Sequence, residues 1–156
     1  ETETTFVGNA LLKALHTAQY TKHWVIAEDS GLCVPLLGGE PGIYSARYAG
    51  SHGNHVQNNL KLLEALQDKG VTTQTPAYYL CLMVLVKHPK DPHPIICEGL
   101  MHGSITVNPP AGSEGFGYDP LFIPQGEEQT LGQLPPSFKA SHSHRAQAFS
   151  KILAAI

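Results

Sequence analysis

The stretch YYLCLMVLV, residues 78–86, is apolar or aromatic at every position. A strand with one face in water alternates apolar and polar residues, so a run without alternation is typical of a strand that is covered on both faces. The KHP that follows at residues 87–89 ends the run, because proline has no N–H to donate to a neighbouring strand. The sequence therefore predicts a central strand at residues 78–86.

Two amphipathic helices are predicted before this strand. In an α-helix each residue is rotated by about 100° from the one before, and this spacing gives residues 6–20 an apolar face and a polar face. The apolar face holds Val7, Leu11, Ala14, Leu15 and Ala18, and the polar face holds Asn9, Lys13, His16 and Tyr20. Residues 54–69 form the second helix, with Gly70 as its C-terminal cap and a stripe of Val56, Leu60, Leu63 and either Leu66 or Gln67 at helical spacing.

Short extended segments and a last helix complete the expected fold. The WVIA run at residues 24–27 predicts a strand that ends in a turn at EDSG, residues 28–31. Further strands are expected at residues 95–97, 104–107 and 121–123. A helix at residues 143–156 would bury a stripe of Phe149, Ile152, Leu153 and Ile156. Strands flanked by helices, without repeats or linkers, indicate one α/β or α+β domain over residues 1–156.

Composition excludes several classes of protein. Ten Lys and Arg against thirteen Asp and Glu give a net charge of −3, too balanced for a protein that grips a nucleic-acid polymer through bulk charge. No run is long enough to span a membrane, and the acidic start does not resemble a signal peptide. Cys33, Cys81 and Cys97 share no C-x-x-C spacing and are expected to be core thiols in a reducing compartment. We therefore expect a cytoplasmic protein.

The carboxylates Glu28 and Asp29 are the first candidates for chemistry. Open α/β sheets bind ligands beyond the carboxyl ends of their strands, and one or two carboxylates beside a phosphate suit a hard cation. The alternative is that Asp-Ser-Gly forms only a turn. Lys13, on the polar face of the first helix, either contacts a phosphate or is a solvated lysine.

A second basic group consists of Lys139, His144 and Arg145, expected just before or at the start of the last helix. Free N–H groups at a helix start attract anions, although the sequence alone leaves this site open. The loop GFGYD at residues 115–119 is no dinucleotide fingerprint, because proline and a strand follow it where a helix is required. Phe116 and Tyr118 are either stacking surfaces for a base or core aromatics.

Zinc and serine-hydrolase chemistry are disfavoured. The nine histidines form no His-Glu-x-x-His, and the three cysteines are isolated from one another. Ser30 lacks the Gly-x-Ser-x-Gly elbow of a serine hydrolase.

Several strings together resemble the inosine/xanthosine triphosphate pyrophosphatases. They are TF at 5–6, NA at 9–10, KA at 13–14, IAEDSGL at 26–32, LGG at 37–39, PGIYSARYAG at 41–50, GFGYDPLF at 115–122 and SHRA at 143–146. The resemblance implies two lobes around a mixed central sheet flanked by helices, in a homodimer. It also implies Mg²⁺-dependent hydrolysis of non-standard purine nucleoside triphosphates (ITP, dITP, XTP) to a monophosphate and pyrophosphate, which cleanses the nucleotide pool.

The resemblance also implies roles for individual residues. Asp29 matches the general base and a metal-associated carboxylate, and Glu1 matches a second metal-associated acid. The substrate-binding positions that match are Asn9, Lys13, Ser30, Phe116, Gly117, Tyr118, Asp119, Lys139, His144 and Arg145. Among these, Lys139, His144 and Arg145 match the residues that recognise the 6-keto edge of the purine, an acceptor where adenine carries a donor.

One departure from the family pattern bears on activity. The pattern begins with a strand and a Thr/Ser-Gly-Asn-x-x-Lys loop that grips the triphosphate, and nothing like it precedes Glu1. We therefore expect an N-terminally incomplete domain. Two alternatives follow: a non-catalytic nucleotide-binding fragment, and a septum-associated type of nucleotide pyrophosphatase with a different base preference.

Overall fold

The computed structural model describes residues 2–109, 112 and 115–156. The elements are α1 (Phe6–Ala18), β1 (Val25–Cys33), α2 (His55–Asp68), β2 (Gln74–Val86), β3 (Ile95–Thr106), β4 (Phe122–Pro124), α3 (Pro136–His142) and α4 (His144–Ala155), with short 3-10 turns at Pro35–Leu37, Gly42–Arg47 and Asp119–Leu121. The strands form one sheet in the order β1-β2-β3-β4, and β3 pairs antiparallel with β4. The apolar run at residues 78–86 lies inside the sheet, which confirms the central strand and the mixed α/β fold.

Two strand predictions were wrong in their bounds. The strand expected to end in a turn at residues 28–31 continues through them as β1, so Glu28 and Asp29 lie within a strand and not beyond its end. The segments expected at 95–97 and 104–107 are joined in the single strand β3, which ends at Thr106 and in which Gly99 and Gly103 interrupt the apolar pattern. A Cβ at Gly99 would collide with the carbonyl oxygen of His144, which is why glycine is needed there. Close packing, and not a turn, therefore explains this glycine.

The described residues divide into two compact units. Unit 1 comprises those within 1–30, 80–100 and 144–156, and unit 2 those within 31–79 and 101–143. Two units agree with the two lobes that the family resemblance implied. Because each unit combines stretches that are distant in sequence, neither corresponds to a continuous segment of the chain.

Unit 1 places one helix on each face of its strands. α1 packs through Ala10, Ala14 and Ala18 against a cluster that also holds Val25, Leu82, Val84 and Val86. α4 packs through Ala148 and Ile152 against Cys81, Met83 and Leu85. Since successive side chains of a strand point to opposite faces, odd-numbered residues of β1 and even-numbered residues of β2 face α1. The alternate residues face α4.

Unit 2 has its own apolar core. Leu62 and Leu66 of α2 pack in one cluster with strand residues and with the segment that leads into β4. The strand residues in this cluster are Leu32, Ala77, Tyr79, Met101, Ile105 and Phe122, and Leu121 comes from the 3-10 turn before β4. This core fixes the segment around Asp119 against β2.

The buried faces of the helices differ from the expected ones. In α1, Asn9 is fully buried although the pattern placed it on the polar face, because its amide finds buried partners. In α2, Val56 and Leu60 are 68% and 50% exposed, whereas Leu62 and Leu66 are buried. In α4, only Ile152 of the expected stripe is buried; Phe149, Leu153 and Ile156 are exposed. Neither the short helix α3 nor the 3-10 turns were predicted, because none carries a strong apolar period.

The cysteines are free thiols, as expected from their spacing. Cys33 and Cys81 are buried, and Cys97 is partly buried. Burial, followed by the nearby Glu28 carboxylate, raises the pKa of Cys81 to about 12. Within the described residues, no helix has the length and apolarity needed to cross a membrane.

The buried face of α4 gives a first prediction. Ile152→Ala should lower the free energy of unfolding by about 2–5 kcal/mol, because it leaves a cavity in a closed cluster. Leu153→Ala is the matched control: its side chain is 55% exposed, and it should change stability by only about 0.5 kcal/mol. Urea unfolding measures both. Equal losses would show that the apolar stripe expected from the sequence is buried after all.

A second prediction concerns the thiols. At about pH 8, iodoacetamide should alkylate Cys97 in the folded protein while Cys81 stays unmodified, because thiolate fraction and access control the rate. The raised pKa of Cys81 also means that this group favours the folded state below its ordinary value of 9.0, a contribution that is lost as pH rises toward 12. Peptide mass spectrometry reads out the labelling. Labelling of Cys81 as fast as Cys97 would contradict the packing described here.

Candidate active site

The centre of β1 carries polar side chains on both faces of unit 1. Asp29 lies on the same face of the strand as Val25 and Ala27, which pack with α1. Glu28 and Ser30 lie on the opposite face. The pair that looked like one acidic cluster is therefore divided between two faces. Each carboxylate has its own set of partners.

On the α1 face, Asp29 is held by two side chains of one helix. Asn9 Nδ2 donates to Asp29 Oδ2 at 3.4 Å, and Lys13 Nζ lies 3.3 Å from Asp29 Oδ1. Asn9 and Lys13 are four residues apart, so they point the same way from α1. Thr5 caps the start of this helix by accepting a hydrogen bond from the Gly8 N–H. We call Asn9, Lys13 and Asp29 the Asp29 cluster.

The Asp29 cluster combines a buried carboxylate with a partly exposed ammonium group. The Asp29 side chain is only 10% exposed, whereas that of Lys13 is 37% exposed. Burying a carboxylate requires partners, which the Asn9 amide and the Lys13 ammonium group supply. The arrangement offers a proton acceptor beside a positive charge that solvent can reach.

On the α4 face, Glu28 pairs with Arg145. Arg145 Nε donates to Glu28 Oε1 at 2.7 Å, and its Nη2 donates to Ser30 Oγ at 3.4 Å. The Cys81 thiol of β2 donates to the other oxygen of Glu28, Oε2, at 3.4 Å. We call Glu28, Ser30, Cys81 and Arg145 the Arg145 cluster.

Unit 2 contains a third group, centred on Asp119. Its side chain is 1% exposed and accepts three hydrogen bonds, from the Tyr79 hydroxyl at 3.0 Å, Lys139 Nζ at 2.7 Å and the Phe116 N–H at 3.0 Å. Burial and the Asp119 carboxylate raise the pKa of Tyr79 well above its ordinary value, so Tyr79 is a neutral donor. Gly115 has a φ of +70°, and a Cβ there would collide with Asp119. We call Phe116, Asp119, Tyr79 and Lys139 the Asp119 cluster.

The two rings of the GFGYD loop have different environments. Phe116 is 59% exposed, and Lys139 Nζ lies 4.5 Å from its ring centroid. Tyr118 is buried in the core, and its hydroxyl donates to the Ser45 carbonyl at 2.7 Å. The Gly117 carbonyl accepts from Asn59 Nδ2 at 3.1 Å. Of the two rings, Phe116 is the one that presents a surface to a ligand.

Two members of the expected basic group bond to different carboxylates, each within its own unit. Lys139 lies in α3, the short helix just before the last helix, and it donates a hydrogen bond to Asp119 in unit 2. Arg145 is in α4 and bonds to Glu28 in unit 1. His144 is buried at the start of α4. Glu1, the second expected metal-associated acid, lies outside the described residues.

Sequence reasoning missed Tyr79 and Cys81 as neighbours of these groups. Both belong to the run at residues 78–86, which was interpreted only as a buried strand. The hydroxyl of Tyr79 and the thiol of Cys81 are polar groups in that run, and they could have indicated hydrogen bonds to carboxylates. It also treated Glu28 as a partner of Asp29, although the alternation of a strand would have separated the two.

Comparison with known proteins identifies relatives in sequence and in fold. A dITP/XTP pyrophosphatase of Vibrio cholerae serotype O1 is 48% identical over 156 residues, covering 100% of this chain and 77% of the relative. A dITP/XTP pyrophosphatase of Legionella pneumophila (strain Paris) is 46% identical over 154 residues, covering 99% of this chain and 78% of the relative. The solved structure of a HAM1 protein from Coxiella burnetii matches with a TM-score of 0.92 at 38% identity, over 100% of this chain and 80% of that chain.

The match to a family model is equally extensive. The model of the Ham1 family covers residues 1–155. The identity to the relatives, the superposition on a solved HAM1 structure and this match all cover nearly the whole chain. The chain therefore belongs to the Ham1 family.

Proposed function

We propose that this protein hydrolyses non-standard purine nucleoside triphosphates (ITP, dITP and XTP) to the nucleoside monophosphate and pyrophosphate. The observation that carries the proposal is the Asp29 carboxylate, held by Asn9 and Lys13, in a chain whose relatives are named dITP/XTP pyrophosphatases. Hydrolysis of a phosphoanhydride needs little covalent chemistry from the protein. Positioning, charge neutralisation and proton removal from water suffice.

The Asp29 cluster supplies these functions. Asp29 accepts the proton of the attacking water as the general base. Asn9 fixes the carboxylate by donating to Oδ2. The ammonium group of Lys13 is partly exposed, and in this proposal it contacts the phosphates. In the structure the Lys13 ammonium group is paired with Asp29. A triphosphate bound beside it would be a second anionic partner for the ammonium group.

We propose Mg²⁺ as the metal of this reaction, with the Asp29 carboxylate as one of its ligands. No three His, Cys, Asp or Glu side chains gather into a metal site in the part of the chain that the structure describes. Mg²⁺ does not need such a cage, because it keeps several waters and binds through one or two carboxylates plus substrate phosphates. Asp29, together with Glu1, would hold the ion. When bound, Mg²⁺ offsets the charge of the phosphate oxygens.

The Asp119 cluster is suited to bind the purine base of the nucleotide. The exposed ring of Phe116 offers a stacking surface, and Lys139 places a donor beside it. Asp119, Gly117 and Tyr118 hold the loop in this conformation through the hydrogen bonds described above. A keto group at position 6 of the purine accepts a hydrogen bond where the amino group of adenine cannot, so donors favour ITP over ATP.

Arg145, His144 and Ser30 complete the proposed binding residues. Arg145 is 51% exposed and retains N–H groups beyond those bonded to Glu28 and Ser30, which suits contact with a nucleotide oxygen. His144 begins the helix that carries Arg145. We extend the proposal to a cytoplasmic homodimer. The family resemblance supports the dimer, and the three free cysteines are typical of proteins in a reducing compartment.

The experiment that tests the proposed function compares four nucleotides. The protein is incubated with ITP, XTP, ATP or GTP in the presence of Mg²⁺, and pyrophosphate release is measured. We expect kcat/KM for ITP and XTP to exceed that for ATP by about 100-fold or more, because a site built for a hydrogen bond rejects the analogue that lacks it. Equal rates on all four would contradict the selectivity. Binding of ITP without hydrolysis would indicate the non-catalytic alternative.

Asp29→Asn tests the general base. The amide keeps the shape of the side chain but cannot accept the proton, so kcat for ITP should fall by about 100- to 10,000-fold. The dissociation constant for ITP, measured by calorimetry, should change far less. Asp68→Asn, at the exposed end of α2, is the matched control and should leave kcat unchanged. Substantial activity in Asp29→Asn would show that another group takes the proton.

Phe116→Ala tests the stacking surface. Loss of a stacked base costs about 1–3 kcal/mol, so KM for ITP should rise by roughly 5- to 150-fold. The melting temperature should change little, because the ring is 59% exposed. Phe149→Ala removes an exposed ring of α4 and is the control. An unchanged KM in Phe116→Ala would place the base elsewhere.

A further inference from the structure

The Arg145 cluster holds one guanidinium group at two points. Glu28 and Ser30 lie two residues apart on β1, so both side chains point to the face that α4 covers. Glu28 Oε1 binds Nε at 2.7 Å, and Ser30 Oγ accepts from Nη2 at 3.4 Å. Contacts at two different nitrogens restrict rotation of the guanidinium plane more than one contact would.

Glu28 is itself fixed by a buried donor. The Cys81 thiol lies on the same face of the neighbouring strand β2 and donates to Glu28 Oε2 at 3.4 Å. Its raised pKa, about 12, means that the thiol keeps the proton that it donates. Each oxygen of Glu28 thus has its own partner, and rotation of the carboxylate would break both contacts.

Exposure to solvent increases across the cluster from Cys81 through Glu28 to Arg145. Cys81 is fully buried, the Glu28 side chain is 33% exposed and the Arg145 side chain is 51% exposed. An ion pair this open to water contributes little to folding stability. The arrangement is better explained by orientation of Arg145 than by stabilisation of the fold.

We infer that Glu28 is a positioning residue that, supported by Cys81, orients the Arg145 guanidinium group toward the nucleotide. The role of Arg145 in nucleotide binding rests on the proposed function; the restraint of its side chain does not. Glu28 therefore takes no part in proton transfer and acts only through Arg145. Its sequence neighbour Asp29, on the opposite face, has the separate role of general base.

The first part of the test measures the restraint without any substrate. The chain contains two arginines, Arg47 and Arg145, so a ¹⁵N spectrum of arginine Nε–H groups has two resonances, which Arg145→Lys assigns. Glu28→Gln should shift the Arg145 resonance and speed its exchange with water, and it should leave Arg47 unchanged. An unaltered Arg145 resonance would overturn the inference.

The second part is a double-mutant cycle on ITP hydrolysis. Glu28→Gln should raise KM by roughly tenfold, as for loss of a charge-assisted hydrogen bond, and lower kcat by less than about threefold. In an Arg145→Lys background, Glu28→Gln should have no further effect. Additive effects of the two substitutions, or a loss confined to kcat, would overturn the inference because Glu28 would then act independently of Arg145.

The third part tests Cys81. Cys81→Ala should raise KM, and Cys81→Ser, which restores a donor, should reverse part of that increase. Cys33→Ala removes a different buried thiol and is the control for packing. Equal effects of Cys81→Ala and Cys81→Ser would overturn the part assigned to Cys81. If the wild-type protein releases no pyrophosphate from ITP, the proposed function fails, while the arginine spectrum still decides whether Glu28 restrains Arg145.

Discussion

Successive side chains of β1 point to opposite faces of the sheet, and the chemistry of unit 1 depends on this constraint. Asp29 faces α1 and meets Asn9 and Lys13, whereas Glu28 faces the side of α4 and meets Arg145. Two carboxylates that are adjacent in sequence thereby have different partners and different proposed roles. A shift of β1 by one residue would exchange them, so the apolar side chains that set the register of β1 also determine which carboxylate can act as a base.

Among the described residues, the buried carboxylates Asp29 and Asp119 are both paired, and the pairing explains much of the site. An ionised carboxylate without partners is costly to bury. Asp119 is 1% exposed and meets that requirement with three donors, one of which is the N–H of Phe116. The same hydrogen bond fixes the backbone beside the exposed ring. The Asp119 carboxylate therefore links the buried core of unit 2 to the exposed Phe116 ring on which the purine base is proposed to stack.

The apolar pattern predicted the elements better than it predicted their faces. The run at residues 78–86 could be assigned to a central strand, and the helices predicted over residues 6–20 and 54–69 correspond to α1 and α2. The buried side of α4 could not be predicted, because Ala148 packs more closely than Phe149 and the choice depends on its neighbours in the fold. Local turn residues suggested an end to β1 at Glu28, but the partners that let the strand continue are distant in sequence.

The sequence could nominate residues for the candidate site, but it could not give their arrangement. Resemblance to a family identified Asp29, Lys13, Phe116, Asp119 and Arg145, and the structure shows which of them touch. Lys139 and Arg145 looked like one basic group because the sequence brings them close, yet a break between α3 and α4 directs them to different carboxylates. Contacts of this kind depend on tertiary packing, which sequence spacing alone does not contain.

The central claim is that the chain cleaves a nucleoside triphosphate between its first and second phosphates. Phosphorus NMR of ITP incubated with the protein and Mg²⁺ tests it most directly, because it identifies the products as well as the rate. We expect IMP and pyrophosphate to appear together in equal amounts as ITP disappears. Release of orthophosphate and IDP, or an unchanged ITP spectrum, would contradict it.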